Sequence, residues 1–294
     1  MSRRTVVLLW MMVLLCPSLA VAADAVPALN SVLPPEAKDA NMPQQMEGFN
    51  LSGYSDAGAK AWDIKGDTAD IDAAKVAVTK VNANSYGQED TNLKAEKGVI
   101  NKTTGDVHLE NNVVITSQSG ATMKTDTLDW ARNKDLVRTD DKVELQNETM
   151  KVDGTGMEAH PSLKAATLQS DVTANIQSEG KDKTKDNRIQ ITSDGPMEMD
   201  QNTQTAVFTE NVVAVEMTSG RTLTADKMVV RFNATTQKIQ EITCTGHVSV
   251  KQGNNVTYSE GLVYKADEQK IVLTGRPKLI IDPGDHSTKD TLSF

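Results

Sequence analysis

One strand-sized pattern occurs twice in this chain, 100 residues apart, and it restricts the fold more than any other feature. The first copy is Glu110-Asn-Asn-Val-Val-Ile-Thr-Ser-Gln-Ser-Gly-Ala-Thr-Met-Lys-Thr-Asp-Thr-Leu-Asp-Trp130. The second is Glu210-Asn-Val-Val-Ala-Val-Glu-Met-Thr-Ser-Gly-Arg-Thr-Leu-Thr-Ala-Asp-Lys-Met-Val-Val230. Gly120 falls on Gly220, Asp126 on Asp226 and Leu128 on Met228 without a gap. A repeated strand pattern with no catalytic constellation attached to it points to stacked β-units whose shared surface or groove is the working part.

Looser copies extend the pattern. An acid followed by an apolar strand recurs at Glu96-Lys-Gly-Val-Ile100, Asp126-Thr-Leu-Asp-Trp130, Asp226-Lys-Met-Val-Val230 and Glu260-Gly-Leu-Val-Tyr264. Asp153 before Met157 and Asp194 before Met197 are weaker copies, and Trp62-Asp-Ile-Lys-Gly66 opens a degenerate first unit. About seven units, spaced by about 27–41 residues, cover residues 57–282. Within them apolar and polar residues alternate, as in Val107-His-Leu109 and Val248-Ser-Val250, which is the signature of half-buried strands. Polar turns rich in Asn, Asp and Gly separate them, for example Asn101-Lys-Thr-Thr-Gly-Asp106 and Asn233-Ala-Thr-Thr-Gln237. A helical period shows only faintly, around Ala69 to Ala77. The expected fold is all-β, an elongated open antiparallel structure. Asp and Glu at the recurring position read as turn or strand-end caps rather than ligands.

The N-terminus gives a compartment. Arg3 and Arg4 precede an apolar stretch from Thr5 to Cys16, and Ala20 and Ala22 supply small residues for cleavage. Residues 1–22 therefore read as a secretory signal peptide. Left uncleaved, the 18 residues from Val6 to Ala23 would reach across a bilayer core of about 30 Å and serve as an anchor. Leu-Leu-Cys16 faintly resembles a lipoprotein site, with a bulky Leu15 against it. Residues 23–48, carrying Pro27, Pro34, Pro35 and Pro43, read as a flexible leader, and residues 284–294 as a polar tail.

Composition excludes several classes. The net charge is −9 and falls by two more if Arg3 and Arg4 are removed, so a nucleic-acid partner is not expected. Of the 2 cysteines only Cys244 lies outside the signal segment, so the fold must close without an internal disulfide. Cys244 itself, in Ile-Thr-Cys-Thr, reads as a buried strand residue. His108, His160, His247 and His286 are scattered without metal spacing; His108 and His247 read as outward strand positions. There is no Cys-x-x-Cys, His-x-x-x-His or phosphate loop, and Ser119-Gly120 and Ser219-Gly220 read as turns. We expect no enzyme activity, no metal and no cofactor. Met123, Met150, Met157, Met197, Met199, Met217 and Met228 fit either a packed core or an adaptable apolar trough.

Particular stretches carry a family resemblance. Phe49-Asn-Leu-Ser-Gly-Tyr54, Asn92-Leu-Lys-Ala-Glu96, Gly105-Asp-Val-His-Leu-Glu-Asn-Asn-Val-Val-Ile115 and Thr125-Asp-Thr-Leu-Asp-Trp130 through Val143 resemble the periplasmic lipopolysaccharide-export protein LptC. Gly220-Arg-Thr-Leu-Thr-Ala-Asp-Lys-Met-Val-Val230 with Gly246-His-Val-Ser-Val250 is similar to the related LptA, or OstA-like, domain. The chain looks like an LptC-like β-jellyroll unit at residues 49–178 followed by an LptA-like unit at 188–283. The apparent cleavage site departs from LptC, which keeps its N-terminal helix as an inner-membrane anchor.

The resemblance implies an open two-sheet β-jellyroll whose interior shields lipopolysaccharide acyl chains. Its implied partners are lipopolysaccharide, the inner-membrane ABC transporter of the export system, and other jellyroll bridge proteins joined by edge-strand pairing. On that reading the lipid-binding face comprises Val113, Ile115, Met123, Leu128, Trp130, Val213, Val215, Leu223, Met228 and Val230, with Asp129 and Val229 facing outward. The terminal strands, near Trp62 to Ile64 and near Lys278 to Ile281, are expected to be unpaired. The competing reading is a β-solenoid that binds or cleaves polysaccharide, which would need carboxylates clustered on one repeat face. A ligand-free envelope scaffold is the third. Lipid carried through purification separates the first from the others.

Overall fold

The computed structural model describes residues 44–281 apart from 56–57, 88–89, 179–187 and 269. The expected signal segment, most of the leader, the charged stretch at 180–187 and the polar tail lie outside the described residues. Among the described residues no helix is long and apolar enough to cross a membrane.

The described chain is strand almost throughout. In order the strands are β1 (Gln44–Tyr54), β2 (Lys60–Ile71), β3 (Lys75–Ser85), β4 (Thr91–Asn101), β5 (Val107–Ser117), β6 (Thr122–Ala131), β7 (Leu136–Gln146), β8 (Met150–His160) and β9 (Ala165–Gln177). They continue with β10 (Arg188–Ser193), β11 (Met197–Asp200), β12 (Thr205–Glu216), β13 (Thr222–Phe232), β14 (Ile239–Gln252), β15 (Asn255–Lys265), β16 (Lys270–Thr274) and β17 (Lys278–Ile280). Two single 3₁₀ turns, Arg132–Lys134 and Pro161–Leu163, are the helical exceptions. The expected all-β class and antiparallel jellyroll-type pairing hold. The described residues fall into two compact units, 44–145 with 156–166, and 146–155 with 167–281, so the division runs through β8.

Each unit is a meander. In the first, β1 pairs with β2, β2 with β3, and so on through β5 with β6, all antiparallel. In the second, β9 pairs with β10, β10 and β11 with β12, then β12 through β15 in succession. Pairing of sequence neighbours in antiparallel ladders is the opposite of the parallel stacking a β-solenoid needs, which removes the architecture behind the competing reading.

The strands bend at their middles. Asn111 (φ 62°) and Asn112 (φ 55°) in β5, Glu210 (φ 66°) and Asn211 (φ 51°) in β12, and Gly246 (φ 77°) and His247 (φ 43°) in β14 place consecutive residues in the left-handed region. Each pair interrupts the ladder register, as a bulge does, and turns the strand. One strand half then packs toward the other, with apolar side chains between them. β16 and β17 both pair with β15, so they are two halves of one such bent strand around Gly275 and Arg276.

The recurring acids belong to these bends. Glu96, Asp126, Asp226 and Glu260 were expected at strand ends; they lie in mid-strand instead, opposite the bend of a neighbouring strand. Glu96 pairs with Lys80 at 2.5 Å, and the Asp226 carboxylate lies 2.8 Å from His247 Nδ1. At the same bend a Cβ on Gly246 would stand 2.3 Å from Asp226 Oδ2, so only glycine fits beside that acid.

Local turn chemistry explains the hairpins. Asn101, Asn233, Asp200, Asn147 and Asp72 each use Oδ1 to accept backbone N–H groups two and three residues on. Asp72 also settles the faint helical period at 69–77. Its carboxylate caps a hairpin turn that sets Ile71 opposite Val76, and Ala69, Ile71, Val76 and Val78 then alternate into the core of β2 and β3. β1 starts at Gln44, inside the stretch expected to be leader, and it covers β2. Trp62 to Ile64 therefore lies between β1 and β3, not at an unpaired edge.

Candidate functional site

The first unit encloses an apolar cavity of about 180 Å³. Every strand from β1 to β7 contributes to its wall, among them Leu51, Ile64, Val81, Leu93, Leu109, Ile115, Leu128 and Val137. The side chains reach it because alternate residues of each strand share a face and the mid-strand bends fold the two halves of that face toward each other. Ladder partners carry the surface from strand to strand: Val78 opposite Gly98, Gly98 opposite Leu109, and Leu109 opposite Leu128.

Only two wall residues are charged, Asp63 and Arg132. Asp63 is 2% exposed, and its carboxylate accepts from Asn84 Nδ2 at 2.8 Å and from the Tyr86 hydroxyl at 2.9 Å, with Lys60 as ion partner. Burial alone would raise its pKa; the hydrogen bonds from Lys60, Asn84 and Tyr86 outweigh burial and hold it at about 2. The sign follows from that depression. The ionised carboxylate contributes stability in full above about pH 4, and the contribution is lost as pH falls through about 2. Asp63→Asn is therefore expected to destabilise the chain at neutral pH, with the gap from wild type closing between about pH 4 and 2. Urea unfolding across that range checks it; a gap independent of pH would overturn the assignment.

Arg132, the other charged wall residue, places its guanidinium over the Trp130 ring, 5.3 Å from the centroid.

The sequence-derived face divides in three. Ile115, Leu128 and Trp130 line the cavity, and Val113 (1% exposed) and Met123 (2%) are packed in the core of the same unit. In the second unit Leu223 lines a smaller pocket of about 40 Å³ with Ala214, Ile242, Val250 and Leu262. Met228 and Val230 are fully buried against their partners Phe208 and Ala206. Val213 and Val215 need correction. They share a face, but it is the half-buried one opposite Leu223; Val212 and Ala214 point inward in their place. The reason is the bend, which falls on Glu210 and Asn211 in β12 but on Asn111 and Asn112 in β5. The structural match is thus Val113 with Val212, one residue off the ungapped alignment, and a one-residue slip in a strand exchanges its faces. The turn at 217–220 restores the register, so Gly120 and Gly220 still correspond.

Sequence reasoning missed Leu51, Ile64, Val81, Leu93, Leu109 and Val137 as wall residues. Their alternation within β1 to β7 was the available signal. It missed Arg132 as well; Trp130-Ala-Arg132 sets the two side chains on one face of a strand end.

The remaining reactive groups do not line these two pockets; His108 and Asp129 lie in a separate depression with Val99, Val107 and Trp130. Cys244 is 0% exposed in β14, and burial pushes its thiol up to about 12, so it is an unreactive core residue. His247 is 91% exposed in its side chain, and His108 lies between Asp129 (2.6 Å) and Glu110 (3.1 Å). Asp129, the outward neighbour of Leu128, is exposed. Among the described residues no group of His, Cys, Asp and Glu is placed to hold a metal ion.

A pair of antiparallel meanders with apolar inner faces, one of them holding a cavity walled by seven strands, defines the class: a β-jellyroll protein built around an apolar groove. Residues 7–177 match the family model described as lipopolysaccharide-assembly, LptC-related. That span is more than half of the 294 residues, and the chain belongs to this family. Residues 190–292 match the model for the LptA/(LptD N-terminal domain) LPS transport protein, so an LptA-type unit follows the LptC-type one. Among solved structures the chain is similar to LptH, described as the LptA homologous periplasmic component of the conserved lipopolysaccharide transport device from Pseudomonas aeruginosa. The identity is 14% and the TM-score 0.37, over 46% of this chain and 96% of that one. No curated protein matches the chain in sequence.

Proposed function

We propose that this chain is a non-enzymatic, periplasmic component of a lipopolysaccharide-transport bridge. It takes lipopolysaccharide from the inner-membrane ABC transporter, holds acyl chains against the apolar inner face, and passes them toward the outer membrane. The observation that carries this reading is the apolar cavity of the first unit, in a chain of the LptC-related family. Leaving a methylene in water costs about 0.8 kcal/mol, so a dry wall along the route is what a multi-chain lipid requires. At about 180 Å³ the cavity is smaller than the roughly 300–1,000 Å³ of sites that swallow whole ligands. It has room for a segment of hydrocarbon while the sugars stay in water.

The lipid-contacting residues of the first unit are then Ile115, Leu128 and Trp130, supported by Val113 and Met123. Those of the second are Leu223, Met228 and Val230, joined by Val212 and Ala214. Bridge partners of the same fold dock by adding strands to the exposed terminal strands β1 and β17.

A photo-reactive residue placed at Leu128 in the cell envelope is expected to capture lipopolysaccharide. The same residue at Asp129, the next position on the outward face, is expected to capture little. Equal labelling at both would mean that no defined groove carries the lipid.

A further inference from the structure

We propose that Arg132 is an anion-binding point on the wall of the first unit's cavity, which takes the acidic headgroup, phosphate or carboxylate, of an amphiphile whose chain enters the cavity. This deepens the groove reading above and rests on it.

Three observations converge on that residue. First, Arg132 is half-buried and is the single cation of a wall that is apolar apart from Asn84, Ser85, Thr91 and Asp63, whose carboxylate is already engaged by Lys60, Asn84 and Tyr86. Several other cations have carboxylate partners, such as Lys60 with Asp63, Lys80 with Glu96, Lys124 with Glu144 and Arg138 with Asp140. Among the described residues none pairs with the Arg132 guanidinium. The carboxylate of Asp106, which touches the Arg132 backbone, is engaged by other donors: Oδ1 accepts from the Arg132 backbone N–H at 3.1 Å and Oδ2 from the Thr104 hydroxyl at 2.8 Å.

Second, the guanidinium is held in place. Its central carbon lies over the ring of Trp130, itself a wall residue, 5.3 Å from the centroid. On another side is Gly105 (φ 73°), where a Cβ would stand 3.1 Å from Arg132 Nη1. A glycine there leaves the space that the guanidinium fills.

Third, the chemistry is matched. A planar guanidinium presents donors in a fork that fits the two oxygens of a carboxylate or phosphate. Beside apolar walls the attraction is stronger than in open water. A chain of net charge −9 repels anions as a whole, so selectivity for an acidic amphiphile has to come from such a local cation.

The test uses the full chain and the uncharged dye N-phenyl-1-naphthylamine, which fluoresces when held in an apolar site. Dodecyl phosphate, dodecanoate and dodecanol, each kept below its aggregation threshold, compete for it. With the wild type, both acidic competitors are expected to displace the dye at lower concentration than dodecanol. Arg132→Gln is expected to raise the half-displacing concentration of the two acids about tenfold and to leave dodecanol unchanged. Arg132→Lys, which keeps the charge without the fork, should fall between them. Lys134→Gln, an exposed neighbour, should behave as wild type, and circular dichroism verifies that each variant is folded. An equal loss for dodecanol, or no loss for the acids, would assign Arg132 a packing role and overturn the proposal. If dodecanol and both acids fail to displace dye from the wild type, the groove reading itself fails and this proposal falls with it.

Discussion

Phe208→Ala is expected to cost the second unit about 3–5 kcal/mol, the range for removing a large aromatic side chain from a packed core. Phe208 is 0% exposed and heads the fully buried side chains by size. It sits in β12 between Met197 of β11 and Met228 of β13, both themselves buried. Neither neighbour can follow the shrinking side chain without leaving its own strand register, so a cavity remains. Domains are stable by roughly 5–15 kcal/mol in all, so the loss should leave the second unit near its folding threshold. The matching change on the outer face, Val213→Ala, should cost far less, because Val213 is only half-buried. Urea titration measures both, with an unchanged m-value as the sign that stability and not compactness has shifted. A drop below about 1 kcal/mol for Phe208→Ala would show that the inner face of the second unit is not packed around it.

The contrast between Phe208 and Val213 also marks how far the sequence could be read. Where apolar and polar residues alternate, the inner face was legible: Leu128 and Trp130 were correctly set against Asp129, and strand followed strand as expected. Where four apolar residues run together, as in Val212-Val-Ala-Val215, alternation is silent and the phase comes from the bend alone. That bend is backbone conformation at Glu210 and Asn211, and an ungapped comparison with Glu110-Asn-Asn-Val113 shifts it by one residue. Asn at 111, 112 and 211 was the available hint, because Asn tolerates the left-handed region better than most residues.

The recurring acids were misread for the same reason. A bend inside a strand looks, in sequence, like the end of one. The start of β1 was hidden because Gln44 to Gly48 are exposed and mostly polar, which made the first residues of a covering strand look like leader. Arg132 shows the limit for the site. Its meaning depends on lacking a carboxylate partner and on Trp130 lying beneath it, and neither is written in local sequence.

A proline in β17, at Ile280 or at its neighbour Leu279, is expected to weaken head-to-tail association of the chain, with itself or with another jellyroll protein, while the body stays folded. β17 is exposed along its whole length, and Leu279 (44%), Ile280 (47%) and the following Ile281 (52%) present apolar side chains to solvent. An exposed edge with this composition is an aggregation hazard unless pairing is its purpose. β15 takes one side of β17, with Val256 opposite Ile280 and Thr257 opposite Leu279. Successive N–H groups of a strand point to opposite sides, so of Leu279 and Ile280 one donates toward β15 and the other away from it. Proline removes the donor and its ring crowds the approaching strand. Of the pair Ile280→Pro and Leu279→Pro, the one that removes the outward donor should abolish most of the association and leave the β15 pairing in place. The body is insulated from either change because β17 is only three residues long and β16 holds β15 independently. Sedimentation or pull-down against wild type reads the association, with circular dichroism as the folding control. Association left intact by both prolines, in folded protein, would move the joint away from this edge and leave the exposed Leu279, Ile280 and Ile281 without a role in bridge assembly.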